Sequence, residues 1–158
     1  MSARTGIGYD AHRFEAGRRL VLGGVEIPGA ERGLAGHSDA DALTHAIVDA
    51  LLGAAGLGDI GQHFPDTDER WRDADSMDLL RAVLAQLANA GWAVEHVDAT
   101  VMLERPKLAA HRDAIRDSLA ATLGSVNVKF TTGERMGFVG REDGAAALAV
   151  ATLEPIGP

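Results

Sequence analysis

Asp10 and His12 are separated by one residue in the run GYDAHRF, and His37, Asp41, His45 and Asp49 recur every four residues further along. On a strand a spacing of two points both side chains to one face. On a helix a spacing of four stacks them along one stripe. A carboxylate and an imidazole on a strand, joined by one imidazole from a helix, make a three-ligand set with an open position, the arrangement of catalytic zinc. His37 and His45 are both candidates for the third ligand, and spacing does not choose between them. The same two-His, one-carboxylate set also suits a non-haem iron oxygenase, and a surface Asp-x-His pair is the structural alternative. Buried polar stripes are costly, and an ordinary amphipathic helix would turn Ala46, Ile47, Ala50, Leu51 and Ala54 inward. The stripe is therefore expected to face a site.

Other segments carry chemistry less specifically. Ser38 and Asp41 form a variant capping box that would start a helix ending near Gly56 or Gly58. Gly36-His37-Ser38 would then supply free N–H groups and the positive end of a helix to a phosphate, or Ser38 would simply cap the helix. In GDIGQHFPDTD, Asp59, Gly61, Asp66 and Asp68 could grip polyol hydroxyls or build Asx turns. Arg105-Pro106-Lys107 reads as a solvated helix start. The hydroxyls, amide and carboxylate of Thr131-Thr132-Gly133-Glu134 could serve a phosphate and a divalent cation.

These residues need elements to hold them. Thr5 to Phe14 reads as a strand, and Arg19 to Ile27 as short extended pieces turning at Gly23-Gly24. After the first helix, the segment Gly58 to Asp75, with five aspartates, reads as a loop. A second helix runs from Ser76 to Ala90 on the stripe Leu80, Val83, Leu84 and Leu87, stopped by Gly91. Trp92 to Leu103 alternates as a strand. Pro106 is expected to open a third helix with Leu108, Ile115, Leu119 and Leu123 inward, stopped by Gly124. Val126 to Thr132 and Ala145 to Leu153 close the chain as strands around the loop Gly133 to Gly144. The order predicts an α+β sandwich, a mixed sheet with helices on one face. The last strand is apolar on both faces, so another subunit is expected to cover its second side.

The whole chain bounds the answer. Its 158 residues suit one domain. With no cysteine, thiolate catalysis and cysteine-based metal sites are excluded, and any metal must rest on His, Asp or Glu. A formal charge of −8 argues against a nucleic-acid binder. No apolar run reaches the roughly 20 residues that span a bilayer, and the first residues lack a signal-like core, so a soluble cytoplasmic protein is expected.

Taken together, GYDAHRF, GHSDADALTHAIVDALLGAAGLGDIG, FPDTD, RPK and TTGERMGFVGREDG resemble the 2-C-methyl-D-erythritol 2,4-cyclodiphosphate synthase family, in register from Ile7 to Leu153. The resemblance implies a single domain over residues 1–158, built as a ferredoxin-like subunit of a homotrimer with active sites between neighbours. It implies a phosphorus–oxygen lyase that converts 4-diphosphocytidyl-2-C-methyl-D-erythritol 2-phosphate to the cyclic 2,4-diphosphate and CMP. Zinc would rest on Asp10, His12 and His45, and phosphate on His37 and Ser38. Glu134 would hold a second divalent cation, magnesium or manganese. Asp59, Ile60 and Gly61, with Phe64, Pro65, Asp66, Thr67 and Asp68, would line the ribose and methylerythritol parts of the substrate. Leu103, Glu104, Arg105, Pro106, Lys107, Leu108 and Ala109, with Thr131, Thr132 and Gly133, would form the cytidine and phosphate pocket of the adjoining subunit. His37 and Thr132 would steady charge in the transition state, and a central channel near Phe138 and Arg141 would have room for an isoprenoid diphosphate. The chain departs from the family pattern at Phe130, Gly133, Glu104, Arg105 and Thr44.

Overall fold

The computed structural model describes residues 2–158; Met1, part of the expected 1–158 domain, lies outside the described residues. Strand β1 (Arg4–Ala16) leads into a hairpin of β2 (Val21–Leu22) and β3 (Val25–Glu26). The hairpin turns on Gly23 and Gly24, whose φ angles of 61° and 76° are costly for any residue with a side chain. Edge strand β4 (Arg32–Leu34) was not foreseen, because three residues are too few to show alternation.

Helix α1 (Ala42–Ala55) begins at Ala42, so His37 and Ser38 precede it rather than open it. Asp41 is the N-cap: its carboxylate accepts the Thr44 amide, a task the sequence reading gave to Ser38. That carboxylate also accepts the amides of Gly23 and Gly24 at 2.9 and 2.8 Å and the Thr44 hydroxyl at 2.8 Å. One buried acid thus ties the hairpin to the helix start.

The segment read as a loop from Gly58 to Asp75 contains the one-turn helix α2 (Ile60–His63) and a 3-10 turn at Glu69–Trp71. Its aspartates break the chain, but Asp59 and Asp68 also cap these turns. Helix α3 (Ser76–Asn89) follows, capped by Asp75, then strand β5 (Trp92–Met102). The helix expected from Pro106 starts later, as α4 (Arg112–Leu123) after a 3-10 turn at Ala109–His111. Leu108 is buried from the preceding loop, which made it look like the first point of a helical stripe. Strand β6 (Val126–Thr131), the one-turn helix α5 (Gly137–Gly140) within the stretch read as loop, and β7 (Gly144–Pro155) complete the chain.

The main sheet runs β4-β1-β7-β5-β6, with β5 and β6 parallel and the other pairs antiparallel. Helices cover one face, as expected of an α+β sandwich. The order of main elements, β-α-β-α-β-β, is not the β-α-β-β-α-β of a ferredoxin-like fold. The final strand here inserts between β1 and β5, whereas the helix α4 joins two strands that lie side by side.

Register places Gly8, Ala149, Ala99 and Val128 in one row across four strands on the helix-facing side. There α1 lies directly on β1. A Cβ at Gly8 would fall on the backbone of Ala46 and Ala50, and one at Gly6 on that of Ala50 and Ala54. The other face of the sheet is open, with Ile7 65%, Tyr9 56%, Leu148 38% and Val150 40% exposed.

Gly8→Ala should therefore cost roughly 1–3 kcal/mol, the range for forcing a methyl into a packed seam. Urea unfolding checks this. A loss below about 0.5 kcal/mol, the level of an ordinary surface change, would mean the seam is not tight.

Candidate functional site

The close seat of α1 on β1 brings three side chains together. Asp10 and His12 leave β1 on the helix side, and His45 descends from the first turn of α1. Asp10 Oδ2 lies 2.7 Å from His12 Nε2 and 3.2 Å from His45 Nδ1. One donor atom from each of the three residues lies within 4.8 Å of the other two. His45, not His37, is thus the histidine that joins the Asp-x-His pair. The His37 Nε2–H donates instead to the Asp68 carbonyl at 3.1 Å.

Burial pushes the Asp10 carboxyl up, but the His12 and His45 imidazoles beside it outweigh burial and hold the group at about 2. For His12 burial pulls the other way, yet its hydrogen bond and charge pairing with Asp10 leave it raised. His12 Nδ1 donates to the Ala35 carbonyl at 2.6 Å, and a carbonyl can only accept. Its Nε2 lone pair then faces an ionised carboxylate, so a proton or a cation must lie between them. A carboxylate and two imidazoles converging in this way fit a divalent transition metal.

A cavity of about 410 Å³ opens over the triad. Of the residues expected from the sequence, His37, Ser38, Ile60, Gly61, Phe64, Pro65 and Asp66 join Asp10, His12 and His45 in its wall. Thr67, Asp59 and Asp68 are outside that wall. Asp59 and Asp68 are spent on caps, and Asp68 is also paired with Arg70 at 2.7 Å. Gly36, read with His37 and Ser38 as a possible phosphate contact, lines the cavity too, whereas the sequence reading missed Trp71 and Leu79. Trp71 meets Phe64 edge to face, with centroids 4.9 Å apart, and its indole nitrogen is buried without a partner. A lone tryptophan in an otherwise polar stretch was the available signal.

Residues from the second half of the chain gather elsewhere. Leu103, Pro106, Lys107, Leu108, Ala109, Thr131 and Thr132 line a separate cavity of about 160 Å³ with Phe130 and Arg112, the guanidinium 5.3 Å from the Phe130 ring centroid. Glu104, Arg105, Thr132 and Glu134 border a neighbouring hollow. There Glu104 accepts the amides of Gly133 and Arg135 at 2.8 and 3.2 Å, and Arg105 forks onto Glu142 at 2.8 and 2.9 Å. Phe138 borders another hollow beside Tyr9 and Arg13, while Arg141 pairs with Asp143 at 3.1 Å. The cavities holding Thr132 and Glu134 share no wall residue with the triad's cavity.

Residues 3–154 match the YgbB family. The chain belongs to that family. It is 58% identical over 155 residues to 2-C-methyl-D-erythritol 2,4-cyclodiphosphate synthase of Salinibacter ruber, covering 96% of this chain and 98% of that one. It superposes on the bifunctional IspDF from Campylobacter jejuni with a TM-score of 0.92 and 42% identity, over 98% of this chain and 42% of that one. A Plasmodium falciparum IspF in complex with CDP matches with a TM-score of 0.85 and 30% identity, over 99% and 98% of the two chains.

Two departures from the YgbB pattern have local causes. Thr44 donates its hydroxyl to Asp41 at 2.8 Å. At Gly133 a Cβ would stand 2.5 Å from the Gly140 amide nitrogen and 2.8 Å from the Met136 carbonyl, so this loop admits only glycine.

In this YgbB chain, His45→Ala should remove a bound metal while leaving the subunit folded, since apolar packing carries the core. His37→Ala should leave metal content unchanged. Elemental analysis of the two purified variants checks the assignment, which fails if the results are reversed.

Proposed function

We propose that this chain is a 2-C-methyl-D-erythritol 2,4-cyclodiphosphate synthase of the non-mevalonate isoprenoid pathway, forming the cyclic diphosphate and CMP from 4-diphosphocytidyl-2-C-methyl-D-erythritol 2-phosphate. The observation that carries the reading is the converging Asp10–His12–His45 set, roofed by a substrate-sized cavity, in a chain that matches synthases along nearly its whole length. The whole of residues 1–158 is read as one synthase domain. Among the described residues no helix is long and apolar enough to cross a membrane. We take the enzyme to act in the cytoplasm, where a multiply charged substrate is made and kept.

The reaction is an intramolecular phosphoryl transfer: the substrate's 2-phosphate oxygen attacks its own β-phosphorus, CMP leaves, and no enzyme nucleophile is needed. Catalysis of this kind depends on alignment and charge neutralisation. A zinc ion on Asp10, His12 and His45 would supply Lewis-acid polarisation of a diphosphate oxygen. His37, anchored through its Nε2–H on the Asp68 carbonyl, and Ser38 beside it line the cavity where the phosphates would lie. Ile60, Phe64, Trp71 and Leu79 form apolar walls that exclude bulk water from the reacting groups. Phe130 and Arg112 offer a ring and a guanidinium plane beside the backbone of Pro106 to Ala109, a surface suited to a stacked pyrimidine. Thr132 and Glu134 would meet the diphosphate with magnesium or manganese.

Since the two sets of residues occupy separate cavities on one chain, we read the active site as shared between copies in a homotrimer. The open apolar face carrying Ile7, Tyr9, Leu148 and Val150 supports that assembly, because patches of this kind mark interfaces. Phe138, near the same face, would border the central channel proposed for an isoprenoid diphosphate, with Arg141 close by.

Two measurements test this. Incubating the protein with substrate, zinc and magnesium should yield a cyclic diphosphate signal by phosphorus NMR and equimolar CMP; absence of both removes the enzymatic reading. For the shared site, inactive His45→Ala protein mixed with inactive Lys107→Glu protein should regain part of the activity once mass spectrometry confirms subunit exchange. No return of activity in exchanged trimers would place each site within one chain.

A further inference from the structure

We infer that Ser76 and Asp39 are positioning residues that fix the tautomer and aim of His45, so that its Nδ1 carries the lone pair offered to the metal; this rests on the metal reading above. Ser76, the first residue of α3, is fully buried, and its Oγ lies 2.7 Å from His45 Nε2. The same hydroxyl is bonded to the Asp39 carboxylate, whose second oxygen accepts the Ser76 amide at 2.8 Å. An ionised carboxylate accepts only, so the hydroxyl proton goes to Asp39 and the Ser76 oxygen must accept from His45. His45 therefore keeps its proton on Nε2. In the neutral ring that would bind a metal, Nδ1 is then the bare nitrogen, 3.2 Å from Asp10 Oδ2.

The relay extends the carboxylate–histidine–metal arrangement by one hydroxyl. Ser38 Oγ also approaches His45 Nε2, but at 3.2 Å, and it is shared with the Ala40 amide at 3.4 Å. The shorter bond to Ser76 is the one that orients the ring. Asp39 is itself held in place by its own amide on the Ala74 carbonyl at 3.2 Å and by the Asp41 amide on its carboxylate at 3.1 Å. Three elements are thereby engaged: β1 supplies two ligands, α1 the third, and the start of α3 its orientation.

The test is zinc affinity by chelator competition, with nitrogen-15 NMR of the His45 ring in zinc-loaded protein. Ser76→Ala and Asp39→Asn should each weaken zinc binding 10- to 100-fold, the usual cost of losing an outer partner, while Ser76→Thr, which keeps the hydroxyl, stays within about threefold of wild type. The wild-type spectrum should show a slowly exchanging proton on His45 Nε2 close to the Ser76 β-protons, and Ser76→Ala should lose its protection. Wild-type zinc affinity in folded Ser76→Ala, alongside loss of zinc in His45→Ala, overturns the relay and leaves the metal site standing. If Ser76→Ala does not fold, the wild-type spectrum decides: a proton on Nδ1, or zinc bonded to Nε2, overturns the relay. Failure of wild-type protein to bind zinc at all overturns the metal reading and the relay with it.

Discussion

The backbone-to-backbone seat of α1 on β1 is the constraint from which the rest of this structure follows. Gly6 and Gly8 let the helix approach until the peptide groups of Ala46, Ala50 and Ala54 touch the strand. The atoms that a Cβ would strike are backbone atoms, so trimming the helix side chains could not make room for one. At a wider separation, Asp10 and His12 would no longer share a cluster with His45. The seam also explains why β7 is built from alanine: Ala145, Ala147, Ala149 and Ala151 lie beside the same helix and are buried with almost no volume to spare.

The stripe of His37, Asp41, His45 and Asp49 shows how one sequence pattern separates into several tasks once the helix start is known. Asp41, fully buried, holds the hairpin and the first turn, and burial pushes its carboxyl up even though four donors surround it. Asp49 accepts the Ile60 amide at 3.1 Å and so anchors α2, which carries part of the cavity wall. Only His45 reaches the triad. The polar cost of the stripe is met by backbone amides at Asp41 and Asp49, by the Asp68 carbonyl at His37 and by the triad at His45.

Much of this was readable from the sequence because it lies in regular periodicities. The period of two on β1 paired Asp10 with His12, the glycine stops ended α1 and α3, and the alternation of β5 placed Val97, Ala99 and Val101 inward. What escaped depends on contacts between distant segments. Choosing between His37 and His45 required knowing that α1 starts at Ala42, four residues after Ser38, and spacing carries no such information. Trp71 and Ser76 reach the site because the 73–76 segment is laced to 37–39, with the Asp73 amide on the His37 carbonyl at 2.9 Å. The short elements α2, α5 and β4 were missed since one turn or three residues leave no period to detect.

The position of β7 has a consequence for how the molecule is made. It follows the other strands of the domain in chain order, yet it fills the gap between β1 and β5 and pairs with both along most of its length. Until it arrives, β1 has no neighbour on one long edge, and the two strands that β7 will join lack each other's support. Pairing Gly8 with Ala149 closes a loop of nearly the whole chain, the kind of non-local contact that slows folding and leaves strand edges open meanwhile. A ribosome-bound nascent chain of this protein would hold its first candidate ligands, Asp10 and His12, on an unfinished edge until β7 leaves the exit tunnel.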